Sequence, residues 1–291
     1  MLCFVSTLTA TAAGIGTGLP FLKMGVGARS IGMGEAFSAA ADDASATFYN
    51  PACLAFAQQP TLTLMHRQWI GDATTAFLGA TLPGETYSFA LGINSTGIDG
   101  IEAREQPGPA TGTFGLHDYA ITGTAAYKIQ DDLSIGISTR FLFEKLYIEE
   151  SSGYSVDAGA AYRYDEHLRL ALAVTNLGSM SPLSTESTPL PEALRAGAAY
   201  GSVLSNEISA LVTADALKFF GDDGARFHLG AEGTYDSVIS VRCGYQFGYE
   251  AKGLSTGFGV RYGILAFDYA YVPFSESLGD MHTFSLSFRL R

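Results

Sequence analysis

Residues 21–55 read FLKMGVGARSIGMGEAFSAAADDASATFYNPACLA, and no later part of the chain looks like them. Gly25, Gly27, Gly32 and Gly34 crowd together and permit tight backbone turns. Residues 35–46 are Ala-rich, with Glu35 at the start and Asp42 and Asp43 embedded. This pattern predicts a Gly-hinged coil followed by one or two short helices. Asn50-Pro51 should end the helical part, because the proline ring biases the residue before it away from the αR region. From residue 60 onward the hydrophobic period changes to two and stays there. The stretch is therefore expected to be a plug, residues 14–59, with a barrel of residues 60–291 wrapped around it.

The alternation after residue 60 is the sequence signature of a transmembrane barrel. At the C-terminus Phe284, Leu286, Phe288 and Leu290 alternate with Ser285, Ser287, Arg289 and Arg291, giving one apolar and one polar face. The same rhythm recurs from Leu133 to Glu144, from Leu168 to Thr175, and from Ile239 to Phe247. Fourteen strands are expected, near 60–70, 73–83, 86–95, 117–128, 132–149, 153–164, 167–177, 192–202, 206–219, 225–235, 237–249, 252–263, 264–273 and 281–291. The fold class is all-β: a 14-stranded antiparallel transmembrane β-barrel with an N-terminal helical or coil hatch filling the lumen. An even count returns both barrel ends to one side, with tight turns at 82–85, 130–132, 164–166 and 235–237 on one rim and longer loops at 96–116, 178–191 and 273–280 on the other. About eleven residues at roughly 3.3 Å each, tilted some 40°, reach about 27 Å, close to the apolar band of an outer-membrane barrel. Tyr119, Tyr127, Tyr154, Tyr162, Tyr200, Tyr235, Tyr249 and Tyr262 sit toward strand ends, as an interfacial aromatic girdle requires.

Composition agrees with a membrane barrel. Only 16% of the 291 residues are charged and 34 are Gly, against roughly 25% charged and 7% Gly in ordinary soluble proteins. No stretch of about 18 apolar residues follows the N-terminus, which excludes a helical membrane protein. The formal net charge of −12, with Lys and Arg scattered singly, argues against a nucleic-acid partner. Cys3, Cys53 and Cys243 lack any CxxC spacing, so neither a disulfide framework nor a zinc site is expected. Residues 2–13 form a short apolar run in which Ala10-Thr11-Ala12 fits a cleavage site. Residues 1–13 are therefore expected to be a signal peptide that directs export.

Nothing in the sequence suggests an enzyme. Gly253-Leu254-Ser255-Thr256-Gly257 matches G-x-S-x-G, but a nucleophile elbow needs a sharp strand-to-helix turn and a nearby His. His66, His117, His167, His228 and His282 show no metal-ligand spacing, and no cofactor is implied. The polar strand positions are more informative. Arg140, Glu144, Arg169, Arg195, Glu232, Arg242, Arg261, Asp268 and Arg289 should face the lumen, because an Arg facing lipid at the midplane costs roughly 2–4 kcal/mol. They are expected to form a network holding Glu35, Asp42 and Asp43 of the plug, or a basic lumen that orients an anionic headgroup. Phe21, Leu22, Met24, Met33, Phe37, Phe48 and Leu142 are the candidates for an apolar ligand pocket between plug and wall.

The pattern F-L-x-x-G-x-G-A-R-S-x-G-M-G-x-A-x-x-A-x-A-D-D-A-x-A-x-x-Y-N-P-A over residues 21–52 closely resembles the N-terminal signature of the PorV/PorQ outer-membrane proteins. These are UPF0164-like members of the wider superfamily of the fatty-acid transporter FadL. Gly25, Gly27, Arg29, Gly32, Gly34, Glu35, Asp42, Asp43, Asn50 and Pro51 carry the resemblance. Cys53 departs from it, standing where the family usually has Gly. The resemblance implies a plugged 14-strand barrel in a Gram-negative outer membrane, with membrane lipid around it. It also implies one of two roles. A PorV/PorQ-like chain acts as an accessory or shuttle of the type 9 secretion system, with translocon, sortase or secreted cargo as partners. A FadL-like chain passes hydrophobic compounds, such as long-chain fatty acids, across the membrane. Loop 96–116, with Ile98 and Ile101, is the expected partner surface for the first role.

Overall fold

The computed structural model describes residues 18–104, 110–183 and 187–290. The expected signal peptide at 1–13 lies outside the described residues, as does 105–109 of the expected loop. Fourteen strands follow the hatch: β1 (Thr61–Gln68), β2 (Thr74–Leu82), β3 (Tyr87–Ala103), β4 (Gly112–Lys128), β5 (Leu133–Leu146), β6 (Glu149–Arg163), β7 (Leu168–Met180), β8 (Ala193–Val203), β9 (Ile208–Phe219), β10 (Arg226–Tyr235), β11 (Ile239–Phe247), β12 (Leu254–Tyr262), β13 (Leu265–Pro273) and β14 (Asp280–Arg289). Each pairs antiparallel with its sequence neighbours. Thr61 opposite Arg289 closes β1 onto β14, so no edge strand remains.

Alternation puts Phe89, Leu91, Ile121, Ile137, Phe141, Leu172, Val212 and Val241 on the outside, all exposed. A barrel in water would not leave such a belt uncovered, and lipid is its natural solvent. The inward positions are small. Ala90, Ala126, Ala161, Ala171, Ala199 and Ala270 pack against the hatch in one continuous core. Tyr127, Tyr162, Tyr200, Tyr235 and Tyr262 lie near the short-turn rim, all with outward exposed rings. Tyr249 does not join them. It sits in the connection after β11, half-buried, its hydroxyl 3.1 Å from His228 Nε2.

The longer connections share one rim, as the sequence predicts, but the β5–β6 turn on that rim is only residues 147–148, and loop 96–116 is largely strand. β3 runs to Ala103 and β4 starts at Gly112, with Ile98 opposite Leu116 and Ile101 opposite Phe114 across a bulge. Gly97, Asp99 and Gly100 erase the alternation there, and backbone pairing does not need it. The wall is consequently uneven. β3 and β4 have 17 residues each, whereas β11, β12 and β13 have 9. The excess lies above Tyr119, at the long-loop rim.

The hatch threads the whole lumen. It enters at the long-loop rim, where Gly18 N donates to Pro189 O (3.0 Å). It then forms a 3-10 turn, Pro20–Lys23, the short helices α1 (Ala28–Gly32) and α2 (Ala46–Tyr49), and a second 3-10 turn, Pro51–Phe56. It leaves at the short-turn rim, where Leu290 N donates to Pro60 O (2.8 Å).

Candidate functional site

The site to consider is the lumen with its hatch, and backbone-to-backbone packing sets its geometry. Gly34 has φ +65, and a Cβ there would lie 2.8 Å from both Leu229 O and Tyr245 N. On the wall, a Cβ at Gly244 would overlap the Gly34 amide. The facing glycines let hatch and wall touch without side chains between them. Farther down, Asn50 caps the Pro51–Phe56 turn by accepting from Ala52 N (3.0 Å), while its Nδ2 donates to Ala160 O (3.2 Å) on β6. Ser255 of the G-x-S-x-G match is buried, its hydroxyl donating to Gly32 O (3.3 Å). It is a hatch contact.

The expected lumen charges do face inward, but their partners differ from the expected ones. Hatch Arg29 pairs with wall Glu232 through two bonds (2.8 and 2.9 Å), and Arg242 holds the same carboxylate at 2.6 Å and Asp268 at 2.7 Å. Asp42 pairs with Arg29 within the hatch, and Asp43 accepts from Ser45 two residues on. Neither acid reaches a wall arginine by a direct bond. Arg195 binds Asp215 (3.3 Å), whose carboxylate also accepts from the amides of Phe37 and Ser38. Arg140 is held by Asp157 (2.8 Å) and Asn176 (2.6 Å). Arg169 lies over the Phe56 ring with Arg163 nearby. Glu144 sits opposite Asp118 across β4 and β5, and neither forms an ion pair among the described residues. Asp118, Asp157 and Asp215 did not enter the expected charge set. Strand parity is the signal that finds them, since each occupies an inward position.

Arg67, also inward by parity and fully buried, donates to Gly25 O (3.1 Å). It belongs to the surroundings of Glu35, the most deeply buried hatch carboxylate. Glu35 accepts from Gly25 N (3.1 Å) and lies 3.4 Å from Lys252. Burial pushes its carboxyl up, but Lys252, His228, Arg195 and Arg67 together outweigh this and hold it down at about 2. An acid depressed in the folded state adds stability that is fully present above its unfolded value near 4.5 and is lost as pH falls toward 2. That contribution is on the order of 3 kcal/mol. Asp43 works the other way, since burial and the neighbouring Asp42 raise its carboxyl. The hatch is expected to become protease-sensitive between pH 4.5 and 2, and Glu35→Gln should flatten that limb. A variant with the unchanged acid profile would remove Glu35 as its cause.

The apolar candidates fall into two groups. Phe21, Leu22, Met24 and Leu142 cluster with Leu19, Ala120, Met180 and Leu190 in the long-loop half of the lumen. Met33 and Phe37, with Phe48 packed against them, belong to the core lower down. They do not line one cavity together. Between the groups, a gap of about 10 Å³ is bordered by Leu22, Phe48, Phe77 and Arg140. On the outer wall, a hollow of about 430 Å³ lies among Ile121, Phe141, Tyr154 and Val156, and Arg140 borders it too. Two further cavities, about 130 and 600 Å³, open at the short-turn end on either side of the Arg29–Asp42 pair.

Many solved structures share this architecture, among them the following three. The CymD monoaromatic hydrocarbon channel superposes with a TM-score of 0.66 at 16% identity, covering 92% of this chain and 98% of its own. The toluene transporter TodX of P. putida gives 0.63 at 12% identity, over 92% and 99% of the two chains. A FadL homologue from Pseudomonas aeruginosa gives 0.59 at 14% identity, over 91% and 98%. At these identities the likeness establishes the fold: an outer-membrane type of barrel. Residues 16–174 match the model of an uncharacterised protein family, UPF0164. No curated protein matches the chain.

Proposed function

The chain belongs to the UPF0164 family, and from that premise we propose that it is a non-catalytic outer-membrane channel for small hydrophobic compounds. The observation that carries this reading is the apolar compartment at the long-loop mouth, built from Leu19, Phe21, Leu22, Met24, Leu142, Met180 and Leu190. A porin for water-soluble solutes keeps a polar interior; here the long-loop end is closed by packed apolar side chains, which an apolar guest could part and replace. Two proteins of the same fold, a monoaromatic hydrocarbon channel and a toluene transporter, support the reading. Arg140 borders both the inner gap and the hollow on the outer wall. A guest that displaced Leu22 and Phe48 would therefore stand one side chain from the lipid face. Fatty acids, which join an alkyl chain to a carboxylate, are a second class of hydrophobic cargo.

Trp69, the sole tryptophan, packs against this compartment and is the natural reporter. Toluene titrated into the protein in nanodiscs is expected to change Trp69 emission saturably, and Leu142→Phe, which takes up space in the cluster without adding a second indole, should abolish the change. An unsaturable response, identical in both proteins, would mean simple partition into lipid and no site.

A second reading, as an accessory or shuttle of type 9 secretion, has one observation in its favour. The tall β3–β4 hairpin carries Phe114 against Tyr147 (ring centroids 5.8 Å), beside Ile148, which is 73% exposed. Exposed apolar side chains above the membrane suit a protein partner. Recovery of a translocon barrel or sortase with the protein from outer membranes would favour it over the channel.

A further inference from the structure

The smaller cavity at the short-turn mouth has an unusual charge arrangement. Arg261, at the end of β12, and Arg289, at the end of β14, both line it, and neither makes an ion pair with any described residue. The Nε of Arg261 is buried and meets no acceptor among the described residues. The acids around the cavity are already engaged. Glu232 serves Arg29 and Arg242, Asp268 lies against Arg242, Asp42 binds Arg29, and Asp43 accepts from Ser45. Register explains the empty volume. Arg261 stands opposite Ala266, which stands opposite Ser287, so two small inward residues separate the guanidinium of β12 from that of β14. The result is about 130 Å³ of space bordered by four guanidiniums and by Asp42, Asp43 and Asp268; Arg29 and Arg242 are taken up by acids, which leaves Arg261 and Arg289, with the hydroxyls of Ser240 and Ser287 beside them.

We infer that this cavity is an anion site, in which a carboxylate or phosphate group is held by Arg261 and Arg289 at the short-turn mouth of the lumen. The planar fork of each guanidinium suits a two-oxygen anion, and charge-assisted bonds of this kind are the strong ones. About 130 Å³ accommodates such a group with its first carbon atoms or its water. The site is independent of what passes through the lumen.

The test uses the full chain in nanodiscs of zwitterionic lipid at pH 7 and low salt, with sodium acetate and inorganic phosphate as probes. Binding is read from saturable broadening of the acetate methyl and phosphate phosphorus signals. Broadening by either probe, suppressed by high NaCl and weakened at least about tenfold in R261Q/R289Q, is the expected result. Acetate alone identifies a carboxylate site and phosphate alone a phosphate site. No saturable broadening by either, or equal broadening in the double variant, overturns the proposal. Heat-modifiable gel mobility confirms that the variant is folded; if the double variant fails to insert, Arg289→Gln carries the same comparison. The Trp69 response to toluene, followed in the same samples, is expected to stay unchanged, so the anion site and the channel fail separately.

Discussion

Gly34→Val is expected to release the hatch while the barrel stays closed, at a cost of roughly 2–6 kcal/mol. Two causes add. A β-branched residue at φ +65 occupies a backbone region that it strongly disfavours. The new side chain also has nowhere to go, since even its Cβ lies 2.8 Å from Leu229 O and Tyr245 N, which are strand backbone and cannot rotate away. The β10–β11 register through Leu229 and Tyr245 is part of the wall, so the hatch should give first. Faster proteolysis within 21–55 and a higher bilayer conductance, at unchanged heat-modifiable mobility, would be the signature. Gly221→Val separates the two causes, because Gly221 has φ +94 but no atom within 4 Å of its would-be Cβ. It should show the backbone strain alone, roughly 1–3 kcal/mol. Wild-type protection of the hatch in Gly34→Val would show that the contact is not tight.

The wall is legible in the sequence because lipid acts on every second side chain, and a period of two survives composition drift. Phe141 and Arg140 can be assigned to opposite faces with no structure at hand. Where lipid stops acting, the signal stops too. Residues 97–103 continue β3 above the membrane across a bulge at Asp99 and Gly100, yet Gly97, Asp99 and Gly100 carry no alternation to read. The hatch is legible as a unit from its glycines and Asn50-Pro51, but its direction through the lumen is not, because Gly18 meets Pro189 across a sequence distance that no local pattern encodes. Pairings suffer most. Parity places Arg195 and Asp215 inward, but which carboxylate meets which arginine depends on the shear of the closed barrel and on where the hatch turns. That is why Arg29 of the hatch finds Glu232 of the wall, and why the apolar candidates divide between two clusters.

Arg140 joins four wall side chains to the hatch through one guanidinium, and removing it is expected to cost about 3–5 kcal/mol. Its guanidinium donates to Thr122 Oγ1 (3.2 Å), Ser155 Oγ (3.4 Å), Asn176 Oδ1 (2.6 Å), Asp157 Oδ2 (2.8 Å) and Thr47 O of α2 (3.3 Å). Asn176 has φ +63 and lies where β6 and β7 slip register between Val156 and Ala158. One charge thus ties a bulge in the wall to a helix of the hatch. Arg140→Met keeps much of the volume but leaves Asp157, 1% exposed, without its cation, and that uncompensated charge is the main penalty. If so, adding Asp157→Asn should recover a large part of the loss, with a coupling of roughly 1–3 kcal/mol in the double-mutant cycle. The measurement is the temperature at which heat-modifiable mobility is lost, with proteolysis near residue 47 as a second readout. If the double variant is no more stable than Arg140→Met, the weight rests on the bonds to Asn176 and Thr47 instead. Arg140 would then act as a brace between bulge and hatch, with its charge incidental. Because the same residue borders the hollow on the outer wall, either outcome should also change entry from the lipid side, and the toluene response of Trp69 in Arg140→Met tells whether that path is used.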